Sequence, residues 1–324
     1  MSLPIETWAE QVRAGEIRAI SRAITAIENH APEAEPLLKT LFPQTGAAYL
    51  TGITGAPGTG KSTIVDRLAA HYRKQEDRVG VIAVDPTSPY TGGAILGDRI
   101  RMQSHAGDAG IFIRSMATRG FLGGLARATA EVALLLDAAG KRQILIETVG
   151  VGQDEIDVVR VADITIVILV PGMGDDVQTI KAGIMEIADI FVINKSDRDG
   201  AERVEREIRA LQSLAVRGDQ WTPPIVKTVA SEGKGIAVLA AAIASYESYL
   251  RKENLVLKRN IQNWQERLIE MLRDALLDKA RAQMSDGDML RYAAEIAEHR
   301  RDPYALIEEI VENSAKKPDQ TKPM

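Results

Sequence analysis

A chain of 324 residues with 45% hydrophobic side chains can bury a large core, which excludes the disordered and the small disulfide-stapled classes. It contains no cysteine, so disulfides and thiolate metal sites are excluded and a reducing, cytoplasmic setting is expected. A net charge of -5 with 4% aromatic residues supplies neither the positive field nor the stacking surface that nucleic acid requires, so nucleic acid is not expected as a partner.

The first thirty residues place Glu6, Glu10, Glu16 and Glu28 among Arg13, Arg18 and Arg22, with no apolar signal core, and no export is expected. Residues 1–46 read as a helical N-terminal extension: Ile17, Ile20, Ile24 and Ile27 recur at helical spacing, and Pro32 and Pro43 close the segment. Short apolar runs then alternate with helical patterns over 47–250. The runs are 47–54, 79–85, 110–114, 143–147, 163–170, 187–194 and 224–230, and helices are predicted after 64 and over 125–139, 175–187 and 201–215. Runs that lack polar alternation are buried on both faces, so the reading is α/β: a doubly wound, mostly parallel sheet with helical extensions at both ends. The longest of these runs, Ile164 to Val170, is far too short to span a membrane, and no membrane association is expected. Residues 251–313 form a helical arm in which Leu257, Ile261, Trp264, Leu268, Met271 and Ala275 recur at steps of four and three. That stripe suits an intramolecular helix hairpin or a homodimer seam; residues 314–324 read as a disordered tail.

Three motifs carry chemistry. Gly55-Ala-Pro-Gly-Thr-Gly-Lys-Ser62 is a complete GxxxxGK[ST] phosphate loop between a predicted strand and a predicted helix. Its glycines, Gly55, Gly58 and Gly60, let backbone amides converge on phosphate oxygens at a helix N-terminus, with Ala56, Pro57, Thr59 and Thr63 completing the cradle. Lys61 reaches the outer phosphates and Ser62 supplies a hydroxyl to magnesium. Asn194-Lys-Ser-Asp197 ends a predicted strand and suits guanine. The Asp197 carboxylate accepts from N1–H and the exocyclic amine, Asn194 bonds the loop and the O6/N7 side, and the Lys195 stem covers the base. Ala230 and Ser231, at the end of the next strand, add a backbone contact to O6. Between the two motifs, Glu147 ends a buried strand and Gly150 follows three residues on, an acid for magnesium and an amide for the terminal phosphate. Val151 stands where a water-orienting glutamine is usual in small GTPases and Gln153 lies two residues beyond it, so hydrolysis by the isolated chain is expected to be slow.

These residues, with Val84-Asp-Pro-Thr-Ser88, Gly92 to Met102, Glu147 to Gln153 and Pro171-Gly-Met-Gly-Asp-Asp176, resemble the MeaB/ArgK family of SIMIBI-class P-loop GTPases, whose human member is the methylmalonic aciduria type A protein. The resemblance covers about residues 5 to 250. It implies a homodimeric, GTP-hydrolysing chaperone that gates adenosylcobalamin delivery to a cobalamin-dependent acyl-CoA mutase and protects that enzyme, binding GTP, GDP and magnesium. Cobalamin contact is expected through the partner only, since the chain lacks a DxHxxG segment. By the same resemblance Lys61, Glu147 and Asp98 are catalytic, and Ser62, Asp85, Asp98 and Glu147 surround the metal. Pro171, Gly172, Gly174, Asp175, Asp176 and Lys181 form a third switch. The alternatives are a kinase or transport-associated NTPase, the older ArgK label, and a nickel or zinc metallochaperone GTPase, which the absence of cysteine disfavours.

Overall fold

The computed structural model describes residues 4–85, 105, 107–117, 124–148, 161–172, 187–214, 221–285 and 287–315. The side chain of Asp85 and the predicted site residues Asp98, Gly150, Gly174, Asp175, Asp176 and Lys181 lie outside the described set, as do Val151, Gln153 and all but the last residue of the helix expected over 175–187. The strands are β1 (Tyr49–Thr54), β2 (Val79–Asp85), β3 (Ile111–Ala117), β4 (Gln143–Glu147), β5 (Ile164–Leu169), β6 (Ile190–Ile193) and β7 (Ile225–Lys227). The helices are α1 (Ile5–Arg13), α2 (Ile17–Glu28), α3 (Ala34–Leu41), α4 (Lys61–Arg73), α5 (Gly124–Ala138), α6 (Ala201–Leu214), α7 (Ile236–Lys252), α8 (Leu255–Arg281), α9 (Asp288–Ala297) and α10 (Pro303–Ala315).

The strands form one seven-stranded sheet in the order β3-β2-β4-β1-β5-β6-β7, and every pairing is parallel. Successive side chains point to opposite faces. Val79, Val81, Leu145, Ile164, Ile166, Ile168, Ile190 and Val192 meet α4 and α7 on one side. Ile82, Val84, Ile144 and Ile146 meet α5 and α1–α3 on the other, and Val167, Leu169, Phe191 and Ile193 meet α6 further along that face. Burial on both faces is what the unbroken apolar runs encode. The chain winds outward in one direction from β1 through β2 and β3 and in the other through β5 to β7, so the sheet has its switch point at β1, where ligands of open parallel sheets bind beyond the strand ends.

The N-terminal helices share the sheet's core. Trp8 is fully buried and its indole donates to the Ala19 carbonyl at 3.1 Å, and Ile20, Ile24, Ile27 and Leu37 fill the space over α5. The chain enters β1 under a carboxylate: Asp137 accepts from the amides of Gly46, Ala47 and Ala48, the last at 2.9 Å. Asp163 likewise accepts from the Leu50 amide at 2.8 Å, and its burial pushes its pKa up to about 6 although that bond pulls the other way.

Three strand boundaries differ from the sequence expectation by three residues, and the others by two or fewer. The run 110–114 extends to Ala117 because Ser115, Met116 and Ala117 pair with Ala83, Val84 and Asp85. The run expected from 187 begins at Ile190, because the Asp189 carboxylate takes the Thr165 amide at 2.9 Å and a side chain occupies the first rung. The run expected to reach 230 stops at Lys227; Val229 bridges back to Lys234, and Ala230–Glu232 forms a single 3₁₀ turn. Gly235, at φ 80°, permits that reversal, since a Cβ there would stand 2.2 Å from the Lys227 carbonyl oxygen.

Two compact units are present, Met1–Ile261 and Gln262–Met324, and their boundary falls inside α8. In the first unit, Asp189 gathers the Tyr246 hydroxyl at 2.8 Å and the Arg259 guanidinium at 2.9 Å, and the Trp221 indole donates to the Asp189 carbonyl. The 27 residues of α8 include no buried residue, and Leu257, Ile261, Leu268, Met271 and Leu272 are exposed. In the second unit, Arg301 lies over the Tyr292 ring and pairs with Glu295 and Glu309. Helix α10 runs through Ala315, just past the expected start of the tail at 314. Among the described residues no helix is long and apolar enough to cross a membrane.

Candidate functional site

Between the end of β1 and the start of α4 the chain turns through Gly55, Gly58 and Gly60, all at positive φ. Two of these have no room for any side chain. A Cβ on Gly55 would lie 2.4 Å from the Ile168 carbonyl oxygen of β5, and one on Gly60 would lie 2.4 Å from the Asn194 amide nitrogen. Pro57 and Gly58 form an exposed crown, while Thr59 is buried and its hydroxyl donates to the Ala56 carbonyl at 2.8 Å. Lys61, only 7% exposed, curls back over the loop and donates to the carbonyls of Gly55 at 2.7 Å and Ala56 at 3.1 Å. Residues 61–63 open α4, so their amides and the positive end of the helix face the same opening.

Parallel pairing sets Ile53 beside Glu147, which brings the carboxylate at the end of β4 to the root of the loop. The Ser62 hydroxyl donates to Glu147 Oε1 at 2.6 Å, and both groups are buried. A hydroxyl and a carboxylate in contact at a helix start form a hard-oxygen pair, which suits magnesium rather than a soft metal. Next to them, the Thr148 hydroxyl donates to the Thr54 hydroxyl at 3.0 Å.

The predicted base motif is joined to this loop. Asn194, 2% exposed, donates from Nδ2 to the Thr59 carbonyl at 2.8 Å; its Oδ1 accepts from the Thr228 hydroxyl at 3.0 Å and the Ala230 amide at 3.1 Å. Lys195 adopts φ 53°, an uncommon conformation for a non-glycine residue, and its ammonium donates to the Gly58 carbonyl at 2.7 Å. The lysine stem thereby runs alongside the exposed crown. Asp197 is exposed at the rim, as is Ser231. Lys61, Ser62, Glu147, Asn194, Lys195 and Ala230 are thus hydrogen-bonded to one another or to the phosphate loop, and Asp197 and Ser231 stand at the edge of the same region. Asp85 ends β2 as expected, and Pro171 and Gly172 follow β5, with Gly172 at φ 92°.

Two participants are not legible as motif residues. Thr228 precedes the 3₁₀ turn and supports Asn194 through its hydroxyl and Ser196 through its carbonyl. Arg67, two turns into α4, donates to the carbonyls of Ala230 at 3.2 Å and Ser231 at 2.9 Å. A lone arginine on an amphipathic helix reads as a solvated charge, and no spacing signal distinguishes it.

A family model described as methylmalonyl Co-A mutase-associated GTPase MeaB matches residues 20–285. The chain belongs to the MeaB family. A relative from Pyrococcus abyssi is 45% identical over 310 residues, spanning 95% of this chain and 96% of that one. The Escherichia coli GTPase ArgK is 39% identical over 255 residues, spanning 75% of this chain and 77% of that one. A crystal structure of a LAO/AO transport system kinase shares the fold with a TM-score of 0.71 and 27% identity, covering 96% of this chain and 99% of that one. This MeaB-family chain therefore shares that structure's fold, a parallel sheet carrying the phosphate loop with helical segments before and after it.

Proposed function

We propose that the protein is a guanine-nucleotide-specific GTPase that acts as a chaperone for a cobalamin-dependent acyl-CoA mutase, gating adenosylcobalamin delivery and protecting the mutase. The observation that carries the nucleotide half is the Asn194 bridge: its amide holds the phosphate loop at Thr59 while its carbonyl holds the Ala230 turn, which joins a phosphate site and a base site in one body. The mutase half is supported by the MeaB family's description.

In this reading the loop amides and the α4 N-terminus bind the phosphates, and Lys61 exchanges the Gly55 and Ala56 carbonyls for anionic oxygens, which make the stronger charge-assisted bonds. Ser62 and Glu147, with Asp85 and Asp98 around them, would hold magnesium, which neutralises charge on the outer phosphates. Asp197 accepts from guanine N1–H and the exocyclic amine, and the Lys195 stem covers the ring. Gly150 and the segment from Pro171 to Lys181 sense the terminal phosphate and relay it to the partner. Val151 supplies nothing to orient water, so hydrolysis is slow alone, and a partner that completes the site accelerates it by roughly 10³ to 10⁵. The exposed apolar stripe on α8, with no buried residue along the helix, favours a homodimer seam over a self-contained hairpin. The setting is cytoplasmic.

The test has two arms. Calorimetry with GTP, GDP and ATP should show guanine selectivity, and equal affinity for ATP overturns the base assignment. Phosphate release with and without a cobalamin-dependent acyl-CoA mutase should show acceleration by the mutase; a rate independent of every such mutase tried overturns the chaperone reading and leaves a GTPase.

A further inference from the structure

Resting on the guanine reading above, we propose that Arg67 is a specificity-positioning residue that holds the Ala230–Ser231 turn in the conformation able to read guanine O6. The turn is one 3₁₀ turn between a strand only three residues long and α7; its own bonds, Glu232 to Val229, Gly233 to Ala230 and Val229 to Lys234, set its shape, and external holds tie it to the neighbouring elements. Three external holds act on it. Asn194 Oδ1 takes the Ala230 amide, and Arg67 takes the next two carbonyls, with Nε on Ala230 and Nη2 on Ser231. The Ala230 carbonyl and the Ser231 amide belong to one rigid peptide plane, so gripping the carbonyl aims the amide the opposite way. Among the described residues the Ser231 amide has no acceptor, whereas the amides of Glu232 and Gly233 are spent on Val229 and Ala230. The peptide that Arg67 orients is thus the one with an open donor at the rim where Asp197 also lies.

The guanidinium geometry matters. A planar fork can serve two successive carbonyls at once, which an ammonium cannot. Arg67 also stands on α4, the helix that opens at Lys61 and Ser62, so the base turn is fastened directly to the phosphate-binding helix. Asp197 and Arg67 then govern different edges of the base: Asp197 the N1–H and exocyclic amine, Arg67 the O6 side through the turn.

The experiment compares wild type, Arg67→Ala and Arg67→Lys by calorimetry with GDP, with inosine diphosphate, which keeps O6 and N1–H and lacks the exocyclic amine, and with 2-aminopurine riboside diphosphate, which keeps the amine and lacks both O6 and N1–H; the N1–H loss falls equally on wild type and variants, so the change in preference reads the O6 side. In wild type GDP should bind tightest. In Arg67→Ala, GDP affinity should fall about tenfold, which is about 1.4 kcal/mol. The GDP preference over 2-aminopurine should shrink by a similar factor, while the preference over inosine stays within twofold. Arg67→Lys should fall between the two. A uniform loss of affinity for all three nucleotides, or an unchanged preference over 2-aminopurine, overturns the proposal for Arg67. Failure of wild type to prefer GDP at all overturns the guanine reading itself, so the two failures are distinguishable.

Discussion

Removing the Asn194 carboxamide separates two roles that the motif alone leaves mixed, contact with the base and support of the loops. Asn194→Ala deprives three groups of partners: the Thr59 carbonyl, the Ala230 amide and the Thr228 hydroxyl, all on residues that are essentially buried. A buried polar group left unmet costs about 1–3 kcal/mol. The Thr228 hydroxyl can rotate to another acceptor, and the exposed crown at Pro57 and Gly58 lets water approach Thr59, so the lower part of the range applies to each. The expected loss for the nucleotide-free protein is therefore about 3 kcal/mol, a fall in Tm on the order of 6–12 °C for a unit of this size. Asn194→Asp is the informative second variant, because it keeps the acceptor for Ala230 and Thr228 but sets an oxygen against the Thr59 carbonyl. It should lose most of the same stability. Urea unfolding of the nucleotide-free proteins, beside GDP calorimetry, reads both quantities. If both variants unfold within 0.5 kcal/mol of wild type (about the spread of neutral surface substitutions) while losing GDP affinity, Asn194 acts on the base and the scaffold argument is wrong.

Further outcomes follow from single contacts. Gly60→Ala places a Cβ against the Asn194 amide in a left-handed residue, so its cost should drop measurably in an Asn194→Ala background; identical costs in the two backgrounds would show that only the φ of 94° matters. Asp163 has a folded pKa of about 6 against an ordinary 3.8, so the folded state binds the proton more tightly and stability is lost as pH rises from about 4 to 6. Compared with Asp163→Asn, wild type should gain about 2 kcal/mol between pH 7 and pH 4, and a pH-independent difference in urea unfolding would refute this. Leu268→Glu with Leu272→Glu on the exposed stripe of α8 should halve the particle mass in light scattering without lowering GDP affinity; an unchanged mass removes α8 as the seam.

The phosphate loop and the sheet were legible because both demand particular residue types. Gly55 and Gly60 tolerate no side chain, and strands buried on two faces must be apolar throughout. The boundaries at Asp189 and Val229 were not legible, because a polar side chain replaces a backbone rung in one and a glycine-assisted reversal ends the other. Asp189 sat as an unexplained acid inside an apolar run; its partners, Tyr246 and Arg259, lie 57 and 70 residues away, beyond any local periodicity. Arg67 escaped for the same reason. Its partners are main-chain carbonyls, which leave no mark on the sequence. Periodicity reports which face a residue occupies, whereas hydrogen bonds between distant loops depend on the assembled topology.

That topology also couples the phosphate loop to the region proposed to read the base. Thr59 lies between Gly58 and Gly60, so the carbonyl that Asn194 holds belongs to the peptide leading into the start of α4. Lys195 holds the preceding carbonyl, of Gly58, and Arg67 returns from α4 to the base turn. The closed circuit of loop, strand end, turn and helix has few soft joints, and preorganisation of this kind reduces the ordering cost of binding. Lys61 is the cation that opens the phosphate-binding helix, and its contacts, to neutral carbonyls of the loop, are weaker than those an anion there would offer, so they are the bonds a phosphate would displace. On the proposed guanine reading, a nucleotide with the wrong base then forfeits contacts to a scaffold that cannot relax to meet it, and discrimination would be carried by rigidity as much as by the hydrogen bonds assigned to Asp197.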